Sequence, residues 1–360
     1  MSWLQFRDSG GRFGHRSAWP RLLPAALLLI MLAPAAARAQ AVRTQALALE
    51  AGWNAVYLEV DPLEADPALL FAGAPIDIVA AFSASPDGAQ FVQDPSADQL
   101  RAYGWRVWYA PHRADAFLAR LSSLNGGTPY LIHATAPVSL EITGQVAPGH
   151  QRWTPDAYTF TGFSVQQPGG PTFRQFFAAS PAHNHDRIYR MRNGIWRKVQ
   201  DPAAEVMRPG EAFWIYTKGR SDYAGPLDVS TRSPFGLVLT PDSGQSVVLR
   251  NQAAHPLTVT LDHIVAQNDE MPLALAVRTR DSGEARSVRT LSFPLERGAW
   301  SHTLPVFEAG EALRLPFEVQ RDRQETGTRH SLLRVRTDMG TVHYLSITAF
   351  SDAVSSTPTN

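Results

Sequence analysis

The chain has 360 residues, 44% hydrophobic and 18% charged, with 33 basic and 33 acidic side chains and no cysteine. This is a globular composition, long enough for two or three domains of about 100–200 residues. It excludes disulfides, thiolate metal sites, cysteine nucleophiles and a lipid-modified N-terminal cysteine. Beyond residue 40 the balance is 28 basic to 32 acidic residues, which is not the basic footprint of a nucleic-acid binder.

Residues 1–39 read as a signal peptide. Arg7, Arg12, Arg16 and Arg21 precede the apolar run Leu22–Ala33, and Ala37-Arg38-Ala39 supplies an A-x-A cleavage signal ahead of Gln40. The apolar run contains Pro24 and falls short of the ~20 residues that cross a bilayer. The expectation is a chain exported to a bacterial periplasm or beyond, cut at or within two residues of Gln40, with no transmembrane segment afterwards.

Residues 40–150 read as a first β-rich module. Leu47 and Leu49, then Trp53–Val60, suit strands broken by a turn at Gly52, with Asp61-Pro62 as a stop. Pro67–Phe71 suits one or two helical turns. Ile76–Phe82 is a continuous apolar run, the pattern of a buried strand. After a polar loop come Trp105–Tyr109, a short amphipathic helix over Phe117–Leu124, a strand opened by Gly127 (Thr128–His133), and Val138–Ile142.

Residues 151–230 repeat this plan in shorter form as a second β-rich module. Tyr158–Ser164 is matched to Leu47–Asn54, Phe173–Phe177 to the first helix, and Ile188–Met191 to the Ile76 strand. Gly194-Ile195-Trp196 is matched to Gly104-Trp105, and Gly210–Tyr216 to Gly127–His133. Gly52 is expected to overlay Gly162. Aligned on their glycines, Tyr130 and Ile132 correspond to Phe213 and Ile215, while Leu131 and His133 correspond to Trp214 and Tyr216. Period-two alternation puts the first set on a core face and the second on a contact face.

Residues 231–352 change character. Short strands punctuated by Gly and Asp, from Val247–Leu249 to Tyr344–Ile347, suit an Ig-like antiparallel β-sandwich, and residues 353–360 form a polar tail. The fold class is therefore mainly β with a few short helices: two related modules followed by a sandwich. Gly52-Trp53-Asn54, paired with the later Gly-x-x-Phe-Trp-Ile at Gly210–Ile215, resembles the "GWN…yWI" repeats of secreted and cell-surface bacterial proteins, often joined to Ig-like domains. The second copy carries Phe163-Ser164 where the first has Trp-Asn. The resemblance implies no catalytic residues.

No nucleophile elbow, zincin motif, P-loop or dinucleotide fingerprint is present in the sequence. His183, His185 and Asp186 form the densest polar cluster. Side chains at i and i+2 of an extended chain share a face, and this set is a candidate metal site against the alternative of a solvated loop. Asp87, Asp94 and Asp98 lack calcium-loop spacing. Most tryptophans between residues 41 and 230 are expected in cores, with Trp108, Trp196, Trp214 and Tyr216 as candidate ligand contacts. No cofactor is called for. The expected function is a secreted, non-catalytic binding or assembly protein with a cell-surface glycan or protein partner. The alternative is a hydrolase of an envelope or extracellular polysaccharide.

Overall fold

Every second side chain in the later half of β1 (Val42–Leu49) is buried. Gln45, Leu47 and Leu49 point inward and their neighbours face outward, the pattern of a strand covered on one side. The computed structural model describes residues 41–83, 104–147, 151–166, 168–183, 187–240, 244–265, 273–280, 288–294, 299–319 and 327–351, with backbone alone at 274–280, 288–294 and 351. In it β1 edges a three-stranded sheet (sheet I) with β7 (Val138–Val146) in the centre and β3 (Val60–Pro62) on the far side. Asp61-Pro62, expected to stop the Trp53 strand, lies instead in this short edge strand. There the missing proline N–H costs little.

Sheet II has the order β2 (Gly52–Leu58), β6 (Thr128–Ala134), β4 (Ile76–Phe82), β5 (Trp105–Tyr109), all antiparallel. Its apolar centre, β4, is covered on both faces. Ile76, Val79 and Ala81 join Leu47, Leu49, Val56 and Ile132 in the core shared with sheet I, while Ile78 and Ala80 face the other way. The helix α1 (Pro67–Leu70) is capped by the Asp66 carboxylate, which accepts from the Ala68 N–H at 2.8 Å. The amphipathic helix expected at Phe117–Leu124 is only a 3₁₀ turn at Ala116–Leu118. Beyond it the N–H groups of Arg120 and Leu121 both bond the Val107 carbonyl, so the chain covers the edge of β5 instead of coiling.

Sheet III has the order β8 (Ala157–Gly162), β11 (Ala212–Thr217), β9 (Ile188–Arg192), β10 (Ile195–Lys198). Strand for strand this is the order of sheet II, with α2 (Phe173–Phe177) taking the chain position of α1. Thr172 and Gln175 form a capping box at α2, and Phe173, Phe176 and Phe177 pack with Phe213 and Ile215 beneath it. Gly127 and Gly210 both take a left-handed φ, 65° and 69°, just ahead of β6 and β11.

The glycine overlay fails. With Tyr130 aligned on Phe213, the cross-strand pairs Tyr57–Pro129 and Gly162–Ala212 coincide. Gly162 ends β8 and matches Tyr57, whereas Gly52 begins β2 and matches Ala157. The strand equivalent to β8 is β2, not the Leu47 strand.

Sheets IV and V form the sandwich. Sheet IV runs β12 (Leu227–Thr231), β14 (Gln245–Asn251), β19 (Ala312–Val319), β16 (Leu273–Arg280), β17 (Val288–Pro294). Sheet V runs β13 (Leu237–Leu239), β21 (Val342–Ser351), β20 (Gly327–Thr337), β15 (Val259–Val265), β18 (Trp300–Thr303). Their inward residues share one core, including Val247, Leu249, Phe317, Leu261, Val335 and Ile347. Asn251 is buried and shapes the turn that follows it. Its amide donates to the carbonyls of His255 (3.0 Å) and Phe307 (2.8 Å), and its oxygen accepts from the Ala253 N–H. The turn after β20 meets the segment after β8 by backbone bonds, Gln166 N–H to Gly340 O at 2.8 Å and Val342 N–H to Ser164 O at 3.0 Å.

Candidate functional site

Alternation along β11 sorts its side chains. Phe213 and Ile215 enter the core beneath α2, while Ala212 and Trp214 face sheet II. There Trp214 packs against Phe160 at 5.0 Å, and Trp196 meets Phe160 edge-on at 5.7 Å. With Leu131, Ala55, Ile78 and Ala80 from sheet II they form a core between the two sheets. Trp196 and Trp214 are 1% and 2% exposed, so neither reaches a ligand. Trp108 is buried too, 6.0 Å from Phe71 between sheets I and II. These three expectations are corrected: sheet I covers Trp108, and sheet II covers the face of sheet III that carries Trp196 and Trp214.

Tyr216 stands at the end of that face, half-buried. Directly across from it is Tyr158, ring centroids 5.4 Å apart, and Tyr158 in turn meets Tyr189 at 5.8 Å. The Arg187 guanidinium lies 4.7 Å over the Tyr216 ring. Lys198 is the cross-strand partner of Tyr189, so its exposed side chain rises from the same face. Burial, then a hydrogen bond with Tyr189, pushes the Tyr158 phenol up to about 12. Sequence reasoning found Tyr216 and missed its neighbours. The signal was present in the alternation Tyr158-x-Phe160 and Tyr189-x-Met191, which puts those rings on the Trp214 face.

In sheet II the positions equivalent to Tyr158 and Tyr216 are Trp53 and His133, whose rings lie 5.0 Å apart. His133 Nδ1 is 2.6 Å from Asp77 Oδ1. Asp77 Oδ2 accepts from Arg113 at 2.7 Å, and Arg113 also grips Asp115 through two bonds of 2.8 and 3.0 Å. These groups satisfy one another in a chain of polar partners.

His183 is not poised for a metal. Its ring is buried against Trp153 at 4.1 Å, with Nδ1 2.6 Å from the Ser180 hydroxyl and Nε2 3.2 Å from that of Thr217. Its side chain belongs to the core, which is the physical reason the shared-face expectation does not hold for it. His185 and Asp186, like Asp87, Asp94 and Asp98, lie outside the described residues. Among the described residues no group of three His, Cys, Asp or Glu is placed to hold a metal.

Two charged clusters are structural. Arg190 is fully buried beside the Phe173 ring, bonded through Nε (2.8 Å) and Nη2 to the two oxygens of Glu211, and through Nη1 to Glu205 at 3.3 Å. In the sandwich, burial pushes the Asp262 carboxyl up, but hydrogen bonds from Arg336, Ser301 and Arg334 outweigh it and hold the group at about 2.

A cleft of about 200 Å³ opens where sheets I, III and V approach one another. Arg43 crosses it, paired with Glu59 at 2.6 Å and lying 4.1 Å over the Tyr344 ring, with Asp228, Tyr57 and Phe163 also on its wall. His343 lines the same cleft, and burial pushes its imidazole down to about 4.

No family model matches the chain, and no curated protein matches it. Among solved structures, an ASH/PapD-like domain of human CEP192 is similar at 10% identity over 36% of this chain and 87% of that one, with a TM-score of 0.23. The Salmonella enterica SafA pilin in complex with the SafB chaperone is similar at 12% identity over 36% of this chain and 58% of that one, with a TM-score of 0.22. Scores of this size carry no argument about the site. The β-sandwich rests on sheets IV and V themselves. No helix among the described residues is long and apolar enough to cross a membrane.

Proposed function

We propose that this chain is a secreted, non-catalytic binding or assembly protein of a bacterial periplasm or cell surface. The observation that carries the reading is the row of half-buried rings of Tyr158, Tyr189 and Tyr216 at the margin of the core that holds Trp214. Tyrosine combines an apolar ring with a polar tip, the chemistry of a contact surface that is neither core nor fully wet. The partner is a cell-surface glycan or a protein. Support for export comes from the arginine-rich start, the Leu22–Ala33 run and Ala37-Arg38-Ala39. Intact-mass analysis of exported protein tests it: a chain retaining residues 1–36 contradicts it. The common strand order of sheets II and III supports reading them as two copies of one module. The binding reading is tested by surface plasmon resonance of purified envelope polysaccharides and proteins over immobilised wild type and Tyr216→Ala. Binding that Tyr216→Ala weakens is expected. Binding indifferent to the substitution refutes the site.

A second reading, a polysaccharide hydrolase, is favoured by one observation: Glu59 and Asp228 line the same cleft. Reducing-end release that Asp228→Asn abolishes would establish it.

A further inference from the structure

We infer that the tyrosine face of sheet III takes a saccharide bearing carboxylate groups. The inference rests on the binding reading above and adds the ligand's chemical class.

Arg187 and Lys198 are both exposed, and neither makes an ion pair among the described residues. Asp156, the acid at the head of β8, is turned aside to accept from the Gly219 N–H at 2.8 Å. Among the described residues the face therefore presents two cations without an ion-pair partner at its border. Beyond residue 40 the chain is net acidic, with 28 basic and 32 acidic residues, so its total charge does not draw in an anionic polymer. Any attraction has to be local. Arg187 also sits over Tyr216, 4.7 Å from the ring centroid, which holds its guanidinium beside the tyrosine row where a planar carboxylate would meet it.

Size then selects among partners. The strip follows two adjacent rows of side chains, Tyr158 and Tyr216 with Arg187 in one, and Tyr189 with Lys198 in the row of Trp214, so that it crosses β8, β11, β9 and β10. With strands ~4.8 Å apart, four of them span about 15 Å. A stable protein partner needs about 800 Å² on each side with an apolar centre. Here the apolar centre, Trp214 with Phe160, is already covered by sheet II. A narrow row of rings edged by cations suits a short run of sugar rings: C–H faces on the tyrosines, carboxylates on Arg187 and Lys198.

The test is isothermal titration calorimetry of the purified chain with oligogalacturonate and oligoalginate as carboxylated probes and a cello-oligosaccharide of equal length as the neutral one. Near-UV circular dichroism confirms that each variant is folded. The carboxylated probes are expected to bind, the neutral one about tenfold or more weaker, and Arg187→Gln and Lys198→Gln each to cost the carboxylated probes about tenfold. Equal binding of the neutral probe, lost in Tyr216→Ala, overturns the charge inference and leaves the binding face standing. So does an absence of saccharide binding together with an envelope protein whose binding Tyr216→Ala abolishes. Saccharide binding unaffected by Tyr216→Ala overturns both.

Discussion

Tyr57 and Gly162 occupy the same position in their two sheets, and they touch each other. A Cβ built on Gly162 would run into both Cβ and Cγ of Tyr57. Beside them the Tyr57 N–H donates to Gly210 O at 2.8 Å, joining the edge of β2 to the entry of β11. The two like-ordered sheets thus meet at corresponding strand positions, where one sheet supplies a ring and the other the space for it. Gly162→Ala is expected to destabilise by about 1–3 kcal/mol, because the clash is with the fixed end of the tyrosine side chain. Gly162→Ala combined with Tyr57→Gly, which removes the Cβ as well as the ring, should lose less than the sum of the two single losses. Urea melts of the single and double variants measure it, and two additive losses would rule out the contact.

Phe213 lies in the core beneath α2, edge-on to Phe173 at 5.1 Å. Phe213→Ala is expected to cost about 3–5 kcal/mol, as large-to-small core changes do. A loss below about 1 kcal/mol in a urea melt would place this ring outside the core.

Arg190 is a buried cation held mainly by Glu211. Removing one partner of such a pair leaves an uncompensated charge, so Glu211→Ala is expected to cost about 3–5 kcal/mol. Replacing both by apolar residues, Arg190→Met with Glu211→Leu, is expected to recover much of it. Denaturant midpoints of the single and double variants decide the point.

His343 titrates near 4 when folded, against an ordinary 6.5, because burial disfavours its charged form. A folded-state value below the unfolded one means that the stabilising contribution is complete above about pH 6.5 and lost as pH falls toward 4. The loss is expected to reach about 1–3 kcal/mol at pH 4. Asp262, held at about 2 against 3.8, begins to contribute in the same direction only below pH 3.8. Melting temperature against pH for wild type and His343→Asn separates the two: the limb between pH 6.5 and 4 should flatten in the variant. An unchanged limb would mean that another group governs it.

Local signals in the sequence reached the strands but not what lies over them. Ile76–Phe82 is legible because an apolar run of strand length has nowhere to go but between two layers. Phe213–Tyr216 is legible because alternation divides its faces. Nothing local in Trp196 or Trp214 tells whether a second sheet covers them, since that depends on how distant strands stack. The glycine alignment failed for a related reason: a glycine marks a tight place, and Gly52 and Gly162 are tight for different reasons. Gly52 has a left-handed φ of 94° in open space, whereas Gly162 makes room for a ring. For His183, a polar neighbourhood in sequence concealed a buried ring with hydroxyls at both nitrogens.

On one face of β11, Trp214 is packed between two sheets and Tyr216 stands half-buried beyond it. Urea melts of Trp214→Ala and Tyr216→Ala test this division most directly. Trp214→Ala is expected to lose about 3–5 kcal/mol, and Tyr216→Ala to stay within about 1 kcal/mol of wild type. Comparable losses, or a larger one for Tyr216→Ala, would contradict the account.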